Sequence, residues 1–140
     1  MKHKDILLVE DDYLDVTSVK RSLSKLGVSY TLHVAHNGVD ALALLNGNSP
    51  DGTKIRPDII ILDMNMPKMN GIEFLGIIKN YYSLKNIKVF VMTTSSEEYD
   101  RSTVENLGIT GYILKPLDFE KSRGLTSSAT YQLMKELQDN

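Results

Sequence analysis

Four polar clusters in this sequence each follow directly on an apolar run. Glu10-Asp11-Asp12 follows Ile6-Leu7-Leu8-Val9, and Asp63 follows Ile59-Ile60-Ile61-Leu62. Thr93-Thr94-Ser95 follows KVFVM (88–92), and Lys115-Pro116 follows GYIL (111–114). If Glu10, Asp11 and Asp63 meet, three carboxylates repel one another and raise each other's pKa. A hard divalent cation relieves that repulsion, and Mg²⁺ suits a few carboxylates, a carbonyl and waters. Lys115 adds positive charge and Thr93 adds a hydroxyl. Metal, ammonium and hydroxyl around one carboxylate make a site for a phosphoryl group. The carboxylate can itself be the nucleophile, forming an acyl phosphate.

Each cluster also has an ordinary explanation. Asp12 is a good helix N-cap, and acids in a first helical turn are favoured by the macrodipole. Asp63 could cap a turn, Thr93 and Ser95 suit a strand end and an N-cap, and Lys115 could be solvated. These explanations work singly but leave the coincidence of all four at successive strand ends unaccounted for. His3, His33 and His36 have no partner at the expected strand ends and are read as surface or packing residues.

The elements that must position these residues are legible from periodicity. Strand-like runs fall at 6–9, 31–35, 58–63, 88–92 and 111–115. Val16, Val19, Leu23 and Leu26 place one apolar stripe on a helix over 12–26, followed by Gly27 where a helix end favours glycine. Further helices are expected over 38–46 and 71–80, and from Ser95, which has Glu98 at capping-box spacing, to near Gly108. The last helical region runs from Asp118 to about Gln138 with a break near Gly124, because Gly124 and Thr126-Ser127-Ser128 are poor helix formers. Leu125, Ala129, Leu133 and Leu137 repeat every four residues and support a helix from about 125. The stretch 46–57, longer than a usual αβ connection, is read as an exposed loop and not as a linker.

Strands alternating with helices, two of them apolar on both faces, indicate an α/β fold with a parallel sheet covered on both sides. In such a sheet, ligands bind at the carboxyl ends of the strands, where the four clusters fall. A length of 140 residues fits one domain spanning 1–140. Sixteen basic against 18 acidic residues give no sign of a generic nucleic-acid binder or a polybasic membrane patch. The absence of cysteine removes disulfides, thiol catalysis and zinc–thiolate sites. The start MKHKDILLVEDD has too few apolar residues for a secretory signal. No apolar run approaches the ~20 residues of a membrane helix. A soluble, cytoplasmic protein is expected.

VEDD (9–12), ILDMNMPKMNG (61–71), VMTTSS (91–96) and GYILKP (111–116) together resemble the receiver domain of two-component response regulators. The resemblance implies a flavodoxin-like (βα)5 fold, a doubly wound parallel sheet of order 2-1-3-4-5. It implies that Asp63 is the phosphoacceptor, charged from the phosphohistidine of a sensor histidine kinase. Asp11 and Asp63 would bind Mg²⁺, with Glu10 acting through water and Asn65 through its main-chain carbonyl. Thr93 and Lys115 would hold the phosphoryl oxygens, and Tyr112 would be the switch aromatic. Pro116 would follow a cis peptide that aims Lys115. Thr94 and Ser95, beside Asn65, would tune dephosphorylation, while Pro67 and Gly71 would shape the turn after Asp63.

The resemblance is to stand-alone receivers, since the sequence leaves no room for an output domain. Output is then expected through protein–protein contact on the helix from Ser96 to Leu107, the fifth strand and the last helix. That surface would meet a downstream target or phosphorelay protein, and a homodimer could form on it. The 46–57 loop, TTS and KPLDFEK resemble a subgroup serving phytochrome-type or hybrid kinases. Such a protein is a phosphoacceptor and not an enzyme, catalysing only its own phosphotransfer and dephosphorylation. Three other readings compete. A flavodoxin-like FMN binder would place a phosphate against Glu10-Asp11-Asp12, which repel it. A haloacid-dehalogenase-type phosphatase wants a second acid where this chain has Asn65. A receiver-like adaptor that works without phosphorylation would not need the full acid, threonine and lysine set.

Overall fold

The computed structural model describes residues 2–64, 69–80, 87–94, 106, 108–121, 124 and 128–139. The strands are β1 (Lys4–Val9), β2 (Tyr30–Ala35), β3 (Ile59–Asp63), β4 (Lys88–Thr93) and β5 (Gly111–Leu114). They form one parallel sheet in the order β2-β1-β3-β4-β5. The described helices are α1 (Tyr13–Leu26), α2 (Gly38–Asn46), α3 (Gly71–Asn80) and α4 (Ala129–Gln138). The α/β class and strand order expected from the sequence are the ones observed. The helix expected from Ser95 lies outside the described residues, apart from the helical Asn106.

The apolar run of β3 is explained by what covers the sheet. Successive strand side chains point to opposite faces. Ile60 and Leu62 therefore join Leu7, Val9, Leu45, Phe74, Ile78, Val89 and Val91 in a core under α2 and α3. Ile59 and Ile61 join Ile6, Leu8, Val16, Val19, Leu23, Phe90, Met92, Leu133 and Leu137 in a second core under α1 and α4. A central strand with helices on both sides has no wet face, so no alternation of polar residues survives in it. All five residues of β3 are buried, Asp63 included.

The helices begin and end where their chemistry directs. Asp12 caps α1, accepting from the backbone N–H groups of Leu14 and Asp15, and Gly27 closes it. Asn37 caps α2 by accepting from Asp40 N–H. The last helix starts at Ala129, later than the 125 expected, and residues 125–127 lie outside the described set. Gly124 has φ +83, a left-handed value that side chains other than glycine's rarely adopt. Ser128, counted among the poor helix formers in the sequence, is the N-cap that accepts from Tyr131 N–H at 3.0 Å. The helical region expected to begin at Asp118 does not begin there: residues 117–121 are irregular or turn. Among the described residues, a turn at Gly124 stands where a break within a helix was expected, and only the second part of that region is helical. The 46–57 stretch is mostly exposed, as expected, but Ile55 and Pro57 are buried and anchor it. Ile55 N–H bonds to the Leu44 carbonyl at 3.0 Å.

Candidate functional site

Strand parity brings three of the polar residues to the same side of the sheet. Glu10 continues the alternation of Ile6 and Leu8, Asp63 that of Ile59 and Ile61, and Lys115 that of Ile113, all toward α1. Thr93 continues the alternation of Val89 and Val91 toward the other core. The backbone locks these ends together. Lys115 N–H donates to the Thr93 carbonyl at 2.8 Å, and Glu10 N–H donates to the Ala35 carbonyl at 2.9 Å. The Lys115–Pro116 peptide is cis, as expected.

The centre of the site is the Lys115 ammonium. It donates to Glu10 Oε1 at 2.8 Å and to Asp15 Oδ2 at 2.9 Å, and lies 3.3 Å from Asp63 Oδ1. Its side chain is 10% exposed. Burial works to lower the pKa of this amine, but the hydrogen bonds to Glu10 and Asp15 and the charges of Asp63 and Glu10 outweigh it. The result is a lysine held charged, above its usual range. Glu10, fully buried, is pushed up to about 7, chiefly by loss of water. Its bond to Lys115 opposes that rise, while the adjoining Asp63 carboxyl adds to it.

Glu10, Asp11 and Asp63 each offer a carboxylate oxygen, and these oxygens lie within 4.8 Å of one another. With Asp15, three carboxylates meet one ammonium and Asp11 adds a fourth acid to the cluster, which leaves excess negative charge. Two of the three clustered acids are buried, while Asp11 is exposed and keeps the cluster open to water. Hard oxygen donors, net negative charge and solvent access suit a divalent cation that retains some of its waters.

Gly71 explains how the loop after Asp63 closes. A Cβ there would lie 3.0 Å from Met64 Cα and 3.2 Å from the Asp63 carbonyl oxygen. Only a residue without a side chain admits that approach, and Gly71 N–H bonds to the Met64 carbonyl at 3.2 Å. Tyr112 is half-buried and packs against the α2/α3 core. Thr94 is exposed just beyond β4, and Pro116 is exposed. Asn65, Pro67 and Ser95 lie outside the described residues.

Asp15 does not stand out in the sequence, where it is only one more acid in a first helical turn. The available signal is its place three residues after the N-cap Asp12, in the first turn of the helix that follows the acidic cluster. His36 corrects a second expectation. It sits just past β2, at the carboxyl edge, and its Nδ1 lies 3.3 Å from the Glu10 carbonyl oxygen. His3 pairs with Ser29 and Thr31, and His33 lies 3.6 Å from Asp5, so those two have the surface roles expected.

Comparison with known proteins agrees with this geometry. Residues 6–126 match the model of the response regulator receiver domain. The chain is 37% identical over 112 residues to response regulator Rcp1 of Synechocystis, covering 80% of this chain and 76% of Rcp1. Several other relatives are longer, the aligned region spanning 13% of a sensor histidine kinase and 51% of a transcriptional regulatory protein, both of Helicobacter pylori. Among solved structures, the Mn²⁺-bound form of Rcp1 superposes with a TM-score of 0.81 at 30% identity, covering 98% of this chain and 96% of that one. The phosphorylated cyanobacterial phytochrome response regulator RcpA gives 0.80 at 30% identity, covering 97% and 94%. Sheet order, acidic cluster and cis-proline-bordered lysine thus coincide with a family match over most of the sequence. The chain belongs to the response regulator receiver domain family.

Proposed function

We propose that Asp63 accepts a phosphoryl group from the phosphohistidine of a sensor histidine kinase. The observation that carries this reading is the buried Asp63 carboxylate, 3.3 Å from a charged lysine and clustered with Glu10 and Asp11. An Asp63 oxygen attacks phosphorus, the P–O bond forms, the P–N bond breaks, and the histidine nitrogen keeps the electron pair and takes up a proton. Lys115 neutralises charge on the transferred group, and Thr93 donates a hydrogen bond to it. Asp11 and Asp63 would hold Mg²⁺, with Glu10 assisting through water and the Asn65 carbonyl as a further ligand. The metal supplies charge neutralisation to the phosphoryl oxygens.

The kinase approaches from the exposed mouth, where Tyr13 and Leu14 are 78% and 75% exposed beside the acidic cluster. The likeness to Rcp1 and RcpA supports a kinase of phytochrome or hybrid type. Residues 1–140 form one receiver domain, a reading supported by the single five-stranded sheet. It is a cytoplasmic signalling protein and not an enzyme. No helix among the described residues is long and apolar enough to cross a membrane. The output is a protein contact on β5, α4 and the helix expected from Ser96 to Leu107, which also serves a homodimer. Tyr112 is its switch aromatic, and Thr94 and Ser95 tune dephosphorylation.

Incubation with acetyl phosphate and Mg²⁺, followed by intact-mass measurement, tests this. The expected result is the mass gain of one phosphoryl group, lost in Asp63→Asn. No gain in the wild type, or a gain that survives the substitution, would favour a receiver-like adaptor.

A further inference from the structure

We infer that Asp15 is a positioning residue that competes with the phosphoryl group for Lys115. The inference rests on Asp63 being the phosphoacceptor. An ammonium has three donors, and Lys115 faces three carboxylates: Glu10 at 2.8 Å, Asp15 at 2.9 Å and Asp63 at 3.3 Å. The two shortest contacts go to carboxylates other than the phosphoacceptor, and the longest goes to Asp63. To engage a phosphoryl group on Asp63, the amine must loosen one of the shorter contacts.

The partners differ in what they can give up. Glu10 is fully buried and belongs to the acidic cluster that would hold the cation. Asp15 stands outside that cluster, and its side chain is 36% exposed, so water can replace the lysine there at small cost. Nor can Asp15 follow the amine inward. Its backbone N–H is held by the Asp12 cap at 3.3 Å, in the first turn of a helix anchored by Val16 and Val19. Asp15 therefore holds Lys115 toward α1 while Asp63 is unmodified, and releases it when the phosphoryl group outcompetes it.

The test compares wild type with Asp15→Asn and Asp12→Asn at saturating Mg²⁺. Asp12→Asn removes a charge from the same turn without touching Lys115, and asparagine caps a helix as well as aspartate does. Two quantities are measured: the initial rate of labelling by acetyl phosphate, and the equilibrium affinity for fluoroberyllate followed by ¹⁹F NMR. Asp15→Asn is expected to raise both by about two- to fivefold, the size of one half-exposed ion pair. Asp12→Asn should give a clearly smaller gain. A variant that merely damaged the fold would lower both quantities. Values for Asp15→Asn at or below wild type, or an equal gain in Asp12→Asn, would overturn the proposal. Failure of the wild type to label or to bind fluoroberyllate would instead overturn the assignment of Asp63.

Discussion

Two lysine–glutamate pairs sit at opposite edges of the same sheet, and their surroundings make them different objects. At the carboxyl edge, Lys115 meets Glu10 with side chains 10% and 0% exposed. At the amino edge, Lys88 meets Glu136 with side chains 48% and 28% exposed. The outer pair is bathed in water that screens it, and such pairs contribute about 0–1 kcal/mol. The inner pair has lost most of its water, and every neighbour of Lys115 must compensate for that loss. Hence the crowding of Asp63 and Asp15 around one amine, and the glutamate whose pKa rises to about 7. Burial and not residue type separates a decorative ion pair from a reactive one.

The comparison breaks first at Lys115. Lys115→Met strands buried Glu10 and Asp63 without their cation, which should cost about 3 kcal/mol at neutral pH. Urea denaturation measures this, and a change no larger than that of Lys88→Met would erase the distinction. The same variant should label far more slowly with acetyl phosphate.

Proton linkage sharpens the contrast next. Between pH 4.5, the ordinary value for glutamate, and about 7, folded Glu10 keeps a proton that the unfolded chain has lost. Its contribution to stability therefore falls as pH rises through that window and levels off above it. Denaturation series across this range in metal-free buffer should show the fall in wild type and lose it in Glu10→Gln. Adding Mg²⁺ at pH 8 should then raise the stability of wild type. At tenfold excess over the dissociation constant the gain is about 1.4 kcal/mol, read as an increase in Tm. Asp11→Asn should reduce that gain. The smallest effect belongs to Lys88→Met, which should stay within about 0.5 kcal/mol of wild type at any of these pH values.

The residues legible in the sequence are those whose position follows from strand parity. Ile59 to Leu62 announce a strand buried on both faces, and Asp63 has to stand at its end. Glu10 and Lys115 are placed by the same rule. Asp15 escapes because a helix has no such edge. An acid in its first turn faces solvent, a cap or a neighbour according to how the helix is rotated on the sheet, and that rotation is set by Val16, Val19 and Leu23 packing on β1 and β3. The start of α4 escapes for a local reason. Ser128, a poor helix former by propensity, is the N-cap whose hydroxyl oxygen accepts from Tyr131 N–H, and the spacing of apolar residues carries no signal of a cap.

The alternation within the strands has one more consequence. Asp63 and Glu10 continue the rows that pack under α1 and α4, while Thr93 and Tyr112 continue the rows that pack under α2 and α3. The polar residues at the carboxyl edge therefore divide between two separately packed layers. A group bonded to Asp63 and gripped by Thr93 would act as a rivet through the sheet, so that strain on one layer is felt by the other.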